Sequence, residues 1–253
     1  MLLRRLVILL LLLVGVRAAA QQGPQRAGSN GETQYSDEQL FRAYLASDMQ
    51  TWKEYIDHAC FDSLTTEEQQ RLVYYEYGYA AALLDVSKKA AKPYIRQFGE
   101  HLQAMAGVLP EVLEHVYTAA WHTYELAVTS RKIVMHGRQI FEHAEQAVAT
   151  DSDYPLAWSL LANVHFYAPR AMGGSKRLAM REYERADSLY AVDSTAHEQD
   201  WTWVAQMVNL AQCYDKLGMK DNALRQAEAI LQRWPDFEYI KQYIEKLKLK
   251  IKN

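Results

Sequence analysis

The residues of this chain with the most evident chemical potential are its eight histidines. His115 and His122 stand seven positions apart, as do His136 and His143, so each pair returns to one helix face after two turns and could present two imidazoles to a metal. Neither pair has the H-E-x-x-H spacing of a zinc protease, no suitable third ligand lies nearby, and His197-Glu198 lacks a second histidine. The expectation is hydrogen-bonded or solvated structural histidines, with no metal and no cofactor. Gly173-Gly174-Ser175-Lys176 opens a helix and invites comparison with a phosphate loop. It lacks the G-x-x-x-x-G-K-[ST] spacing and no strand precedes it, so two glycines that turn the chain, a Ser175 cap and a stiffening Pro169 are the expected roles. There is no G-x-S-x-G motif, and neither Cys60 nor Cys213 has a recognisable catalytic context. The two cysteines are expected to be separate, buried small side chains. Aspartates and glutamates are scattered over helix surfaces, where solvation dominates, and the chain is not expected to be an enzyme.

The elements that would position these side chains are helical. Met1 to Arg5 is a short basic start, Leu6 to Val16 an apolar run, and Ala18-Ala19-Ala20 a small-residue end, which together read as a signal peptide over 1–20. The run is short for a membrane span, which needs roughly 20 apolar residues. Residues 21–35 form a polar, Gln- and Gly-rich lead, expected to be flexible. Losing Arg4, Arg5 and Arg17 with the signal makes a net charge of −3 more negative, which gives no reason to expect nucleic acid or an anionic membrane as the main partner. The Lys-rich end from Lys241 to Lys252 reads as a helix terminus whose lysines offset the dipole. Ser36-x-x-Gln39 and Thr65-x-x-Glu68 have capping-box spacing before apolar-periodic runs. Strand signals are nearly absent, and the pattern predicts ten or eleven helices, near 36–47, 49–58, 66–86, 90–106, 110–133, 137–150, 155–167, 175–191, 198–217, 220–233 and 236–250. Pro93, Pro110 and Pro155 are expected in tolerant first turns.

A repeat runs through these helices. Tyr124 and Trp158 lie 34 residues apart, and each begins a similar helix-turn-helix stretch. The fullest copy has Met207, Leu210, Ala211 and Tyr214, then Gly218 in the turn, Ala223 and Ala227 on the second helix, and Pro235 at its end. This resembles the tetratricopeptide (TPR) pattern W-x2-L-G-x2-Y, A-x3-F, P. The preceding unit, with Trp158, Leu161, Ala162, Ala179, Tyr183 and Ala186, departs from it in two places: Pro169 to Gly174 enlarge its internal turn, and Val192 to Asp200 lengthen the link onward. Such additions are either tolerated surface insertions or parts of a binding face. Trp121 to Val148 makes a weaker unit, and the stretch from Tyr77 a still weaker one.

The fold class implied is all-α: a right-handed α-solenoid of antiparallel TPR-like helix pairs, spanning 36–253, with a divergent part over 36–108 and pairs over 109–253. Tyr44 to Trp52, Tyr74 to Tyr79 and Tyr167 to Lys176 are also similar to secreted TPR-like proteins of the Bacteroidota, which implies export to a periplasm or outer envelope. In the TPR family the first helix of each pair faces the concave surface. That resemblance implies groove positions at Glu125, Thr129, Ser159, Asn163, Phe166, Val208, Gln212 and Asp215, with Tyr167, Gly173, Gly174 and Lys176 at the loop edge. The function implied is a scaffold holding a protein or peptide partner. The alternative, suggested by seventeen tyrosines and six tryptophans, is a carrier with an aromatic cavity for an apolar or lipid ligand.

Overall fold

Both capping boxes form. Ser36 Oγ accepts the Gln39 amide at 3.2 Å while the Gln39 side chain takes the Ser36 amide at 2.8 Å, and Thr65 and Glu68 do the same at 3.3 and 2.9 Å. Each satisfies two of the amide donors that a helix start leaves without an internal partner. In this computed structural model, which describes residues 35–129 and 133–252, they begin α1 (Asp37–Leu45) and α3 (Thr66–Val86). The expected signal peptide and nearly all of the expected lead lie outside the described residues. The other helices are α2 (Met49–His58), α4 (Lys88–Ala104), α5 (Glu111–Val128), α6 (Ile133–Thr150), α7 (Pro155–Tyr167), α8 (Lys176–Val192), α9 (Trp201–Lys216), α10 (Lys220–Arg233) and α11 (Glu238–Lys252). The described residues contain eleven α-helices, two short 3-10 turns and no strand, so the protein is all-α. None of these helices is long and apolar enough to cross a membrane.

Three local expectations need correcting. Helix α5 ends at Val128, where Thr129 is extended, rather than at 133, and α6 begins at Ile133 rather than 137. Ser87 Oγ accepts the Ala90 amide at 3.3 Å and starts α4 at Lys88, ahead of the expected residue 90. Pro93 therefore falls in the second turn, where it removes a backbone donor, rather than in the first. Cys60 is exposed, because α2 ends before it and the chain turns over the surface there, with Ser63 N–H donating to the Cys60 carbonyl at 2.9 Å. Cys213 is buried in α9 as expected, and both thiols are free.

Packing is densest between consecutive helices, α3 with α4, α5 with α6, α7 with α8 and α9 with α10. The first member of each pair also touches the first member of the next, in the order α3, α5, α7, α9. Alanines permit this approach: Ala119, Ala144, Ala157, Ala162, Ala179, Ala211, Ala223 and Ala227 are all fully buried.

A second set of contacts joins the ends of the chain. The Trp201 ring at the start of α9 lies 5.8 Å from Tyr44 of α1, 5.4 Å from Trp52 of α2, and 5.2 and 5.5 Å from Tyr74 and Tyr77 of α3, between ring centroids. Gly78 makes room for it, since a Cβ there would stand 2.8 Å from the Trp201 ring and 2.7 Å from Trp52. Phe41 meets Trp234 after α10, and Tyr44 meets Phe237, at 6.4 and 6.0 Å. The N-terminal helices thus pack over the C-terminal ones through one continuous aromatic core.

Candidate functional site

The helices α3, α5, α7 and α9 border a small, partly open pocket of about 50 Å³. Its wall carries Tyr77 from α3, Thr123 and Tyr124 from α5, Ser159, Asn163 and Tyr167 from α7, and Trp201, Thr202, Gln206 and Asn209 from α9. The polar groups recur at helical spacing, 159 and 163 on α7 and 202, 206 and 209 on α9, so each helix turns a polar stripe toward the same space. Asn163 is the hub. Its Oδ1 accepts from the Tyr183 hydroxyl at 2.5 Å and from Asn209 Nδ2 at 3.1 Å, while Gln206 Nε2 donates to the Tyr183 carbonyl at 2.7 Å. Gln206 Oε1, Asn209 Oδ1 and the Trp201 indole nitrogen are buried with no hydrogen-bond partner. Unsatisfied buried carbonyls and an N–H each cost about 1–3 kcal/mol, so a cavity bordered by three such groups favours polar content.

Three of the expected groove residues, Ser159, Asn163 and Tyr167, meet in this cavity. The others are placed elsewhere. Phe166 turns to the α8 side, where its ring lies 6.3 Å from Tyr183 and under the Lys176 ammonium at 5.8 Å. Val208 is buried, Gln212 donates to the Tyr239 hydroxyl of α11 at 2.9 Å, and Asp215 accepts Lys250 of α11 at 2.5 Å. Helix α11 therefore covers the face of α9 that the repeat pattern would leave open. Glu125 lines a separate open groove between α4 and α5, beside Trp121, and the Thr129 amide donates to its carbonyl at 2.9 Å. Gly173 adopts φ +95° and ends the Arg170–Met172 turn, and a Cβ on Gly174 would stand 1.8 Å from the Ala168 carbonyl oxygen, so this loop needs both glycines for backbone reasons. Ser175 Oγ accepts the Leu178 amide at 3.3 Å and fills the helix start that a phosphate would need. Thr202, Gln206 and Asn209 escaped the repeat reading because they lie one step around α9 from the positions the TPR pattern exposes. Their shared polar periodicity was the available signal.

The lengthened link before α9 runs over the surface and is held there by a few hydrogen bonds. Asp200 caps α9 through the Thr202 amide at 2.8 Å and also accepts the Tyr74 hydroxyl at 2.8 Å and His197 Nδ1 at 3.2 Å. Arg233 and Trp234 donate to the Ser194 and Glu198 carbonyls at 2.9 and 3.1 Å.

The histidines come together across α5 and α6. His115 Nδ1 lies 3.0 Å from His143 Nδ1, and His122 Nδ1 lies 3.0 Å from His136 Nδ1. In each pair one imidazole must donate its N–H to the bare nitrogen of the other. The expectation of hydrogen-bonded histidines is met, with each other as partners. Among the described residues no group of three or more His, Cys, Asp or Glu side chains converges to hold a metal ion. Burial, with His136 and His143 nearby, pulls the His122 pKa down from 6.5 to about 4. Burial and His115 also lower that of His143, against an opposing effect of Glu142. Because the unfolded chain then binds protons that the folded chain refuses, stability falls as pH drops from 6.5 toward 4. We expect a loss of about 2 kcal/mol, discounted for partial solvent screening. Urea denaturation between pH 7 and 5, above the range of ordinary carboxylates, checks this; H122N should flatten the slope, and an unchanged slope would remove the histidines from the explanation.

Burial pushes the Cys213 thiol up to about 12, so it stays protonated and is a poor nucleophile at neutral pH. No family model matches this sequence, and no curated protein shows significant similarity to it.

Proposed function

We propose that this chain is an exported, non-catalytic TPR-like scaffold, a right-handed solenoid of antiparallel helix pairs that holds an extended peptide segment of a partner protein against α5, α7 and α9. The observation that carries this reading is the set of neutral amide side chains on the first-helix stack, Asn163, Gln206 and Asn209, with two buried carbonyl oxygens lacking donors. A peptide main chain offers N–H donors and carbonyl acceptors in alternation, which suits a neutral carboxamide wall better than a charged one. The α3, α5, α7, α9 contact order supports the solenoid, and the opposed histidine numbers, 115 with 143 and 122 with 136, support antiparallel pairing of α5 and α6. The pocket of about 50 Å³ is far below the roughly 300–1,000 Å³ of pockets that bury a whole ligand, so the peptide would lie across its mouth and place a single polar group inside.

The test is a peptide selected from a random library against the full chain, with its affinity then measured by fluorescence anisotropy. N209A and Q206A are each expected to weaken it about tenfold, the effect of losing one buried hydrogen bond to a neutral partner. Mutation of Glu125, in the other groove, should leave it unchanged. A peptide equally insensitive to Gln206 and Asn209 would place binding elsewhere and remove the reading.

A further inference from the structure

The paired histidines of α5 and α6 have a geometry suited to more than a shared proton. We propose that His115 and His143 form a two-imidazole chelate for a divalent transition ion of tetragonal preference, Cu(II) above Zn(II), with water completing its coordination. The argument starts from the 3.0 Å separation of the two Nδ1 atoms. With metal–nitrogen bonds of about 2.0–2.1 Å, two nitrogens that far apart subtend roughly 90° at the metal. That is the angle between neighbouring ligands in square-planar or tetragonal sites, which Cu(II) and Ni(II) favour. The Irving–Williams order adds to the preference for copper.

The outer pair suits a cation better than the inner one. His115 and His143 are both half-buried, so water can reach the remaining positions. His122 and His136 are buried, with 6% and 7% exposure, and a doubly charged ion held there by two neutral ligands would lack compensation. The inner pair lies alongside: the His122 ring is roughly parallel to that of His143, with centroids 6.1 Å apart at 26°. An ion at this point would also bind α5 to α6, the two helices in most extensive contact.

The experiment uses the tag-free full chain, titrated calorimetrically with copper sulfate and zinc sulfate, with electron paramagnetic resonance of the copper-loaded sample. Binding of one Cu(II) with hyperfine coupling to two imidazole nitrogens is expected, with weaker Zn(II) binding and a raised melting temperature in copper. The H115Q/H143Q variant should lose at least about tenfold in Cu(II) affinity, the lower end of what even the outer partners of metal ligands cost. Copper binding unchanged in that variant, Zn(II) bound as tightly as Cu(II), or a spectrum with one imidazole nitrogen or none would each overturn the proposal. A chain that binds no metal and shows only acid-dependent stability would do so as well, leaving the histidines as proton-sharing pairs. If the double variant fails to fold, H115Q and H143Q singly decide the question: each should reduce the coupling to one imidazole nitrogen, and two nitrogens retained in either would overturn the proposal.

Discussion

Trp201→Ala is expected to cost about 4 kcal/mol of folding stability, within the 3–5 kcal/mol typical of deleting a buried tryptophan. Trp201 is 3% exposed and contacts four aromatic rings on three other helices, Tyr44, Trp52, Tyr74 and Tyr77. Each such pair contributes about 0.5–1.5 kcal/mol beyond the area it buries. Relaxation is restricted, because Gly78 already brings the α3 backbone against the ring and little else can move into the void. One effect acts in the other direction: the indole nitrogen is buried without an acceptor, and its removal returns part of that penalty. Since whole domains are stable by only about 5–15 kcal/mol, a loss of this size should be plain in urea denaturation followed by circular dichroism. The loss should also be regional. Helices α1 and α2 reach α9 and the Trp234–Phe237 link through this cluster, so limited proteolysis should cut the N-terminal helices first. A change under about 1 kcal/mol, or proteolysis that starts at the C-terminal end, would mean that the aromatic closure contributes little.

Asp200→Ala carries the second largest expected effect, about 3 kcal/mol. The carboxylate is the helix cap of α9, and a lost cap costs about 1 kcal/mol. It also accepts the Thr202 hydroxyl at 2.5 Å and the Tyr74 hydroxyl at 2.8 Å, and the buried Tyr74 hydroxyl left without its acceptor adds about 1–3 kcal/mol. Burial pushes the Asp200 carboxyl up, but hydrogen bonds from His197, Thr202 and Tyr74 outweigh this and hold it below the ordinary value of 3.8. The hydrogen bond to Asp200 raises His197 above 6.5, against an opposing effect of burial. The signs of the two shifts define a window. The depressed carboxylate stabilises the fold above its unfolded pKa near 3.8 and loses that contribution as pH falls through the folded value. The raised imidazole stabilises fully below 6.5 and ceases to do so as pH rises through its folded value. Asp200→Ala should therefore be most damaging between about pH 4 and 6.5, and less so at pH 8.5. Asp200→Asn, which keeps an acceptor and loses the charge, should fall between the two. Equal damage at pH 5.5 and 8.5 would show that the His197 pairing contributes nothing.

Much of the helical framework was legible in the residues. Ser36, Gln39, Thr65 and Glu68 mark their helices by chemistry that acts within four positions, and α2 and α3 begin and end where the pattern placed them. The alanines at repeat intervals are buried for the reason their size suggests. Pro93 misled because Ser87, three residues before Ala90, caps earlier than the proline rule expected. The site was half legible. Ser159, Asn163 and Tyr167 reach the cavity, but Gln212 and Asp215 are taken by Tyr239 and Lys250, which a repeat pattern confined to its own helix pair could not foresee.

What the sequence determined by itself is what depends on near neighbours: helix starts, the all-α class, the apolar stripes and the seven-residue histidine spacing. Only the tertiary structure decided which faces meet. It set His115 against His143, closed Trp201 over the N-terminal helices, brought Tyr239 and Lys250 of α11 against Gln212 and Asp215 of α9, and left the carbonyls of Gln206 and Asn209 without donors. The physical reason is range. Caps and periodicity are settled by hydrogen bonds and sterics within a turn or two, whereas these contacts join residues that are distant in the chain and depend on how every helix between them packs.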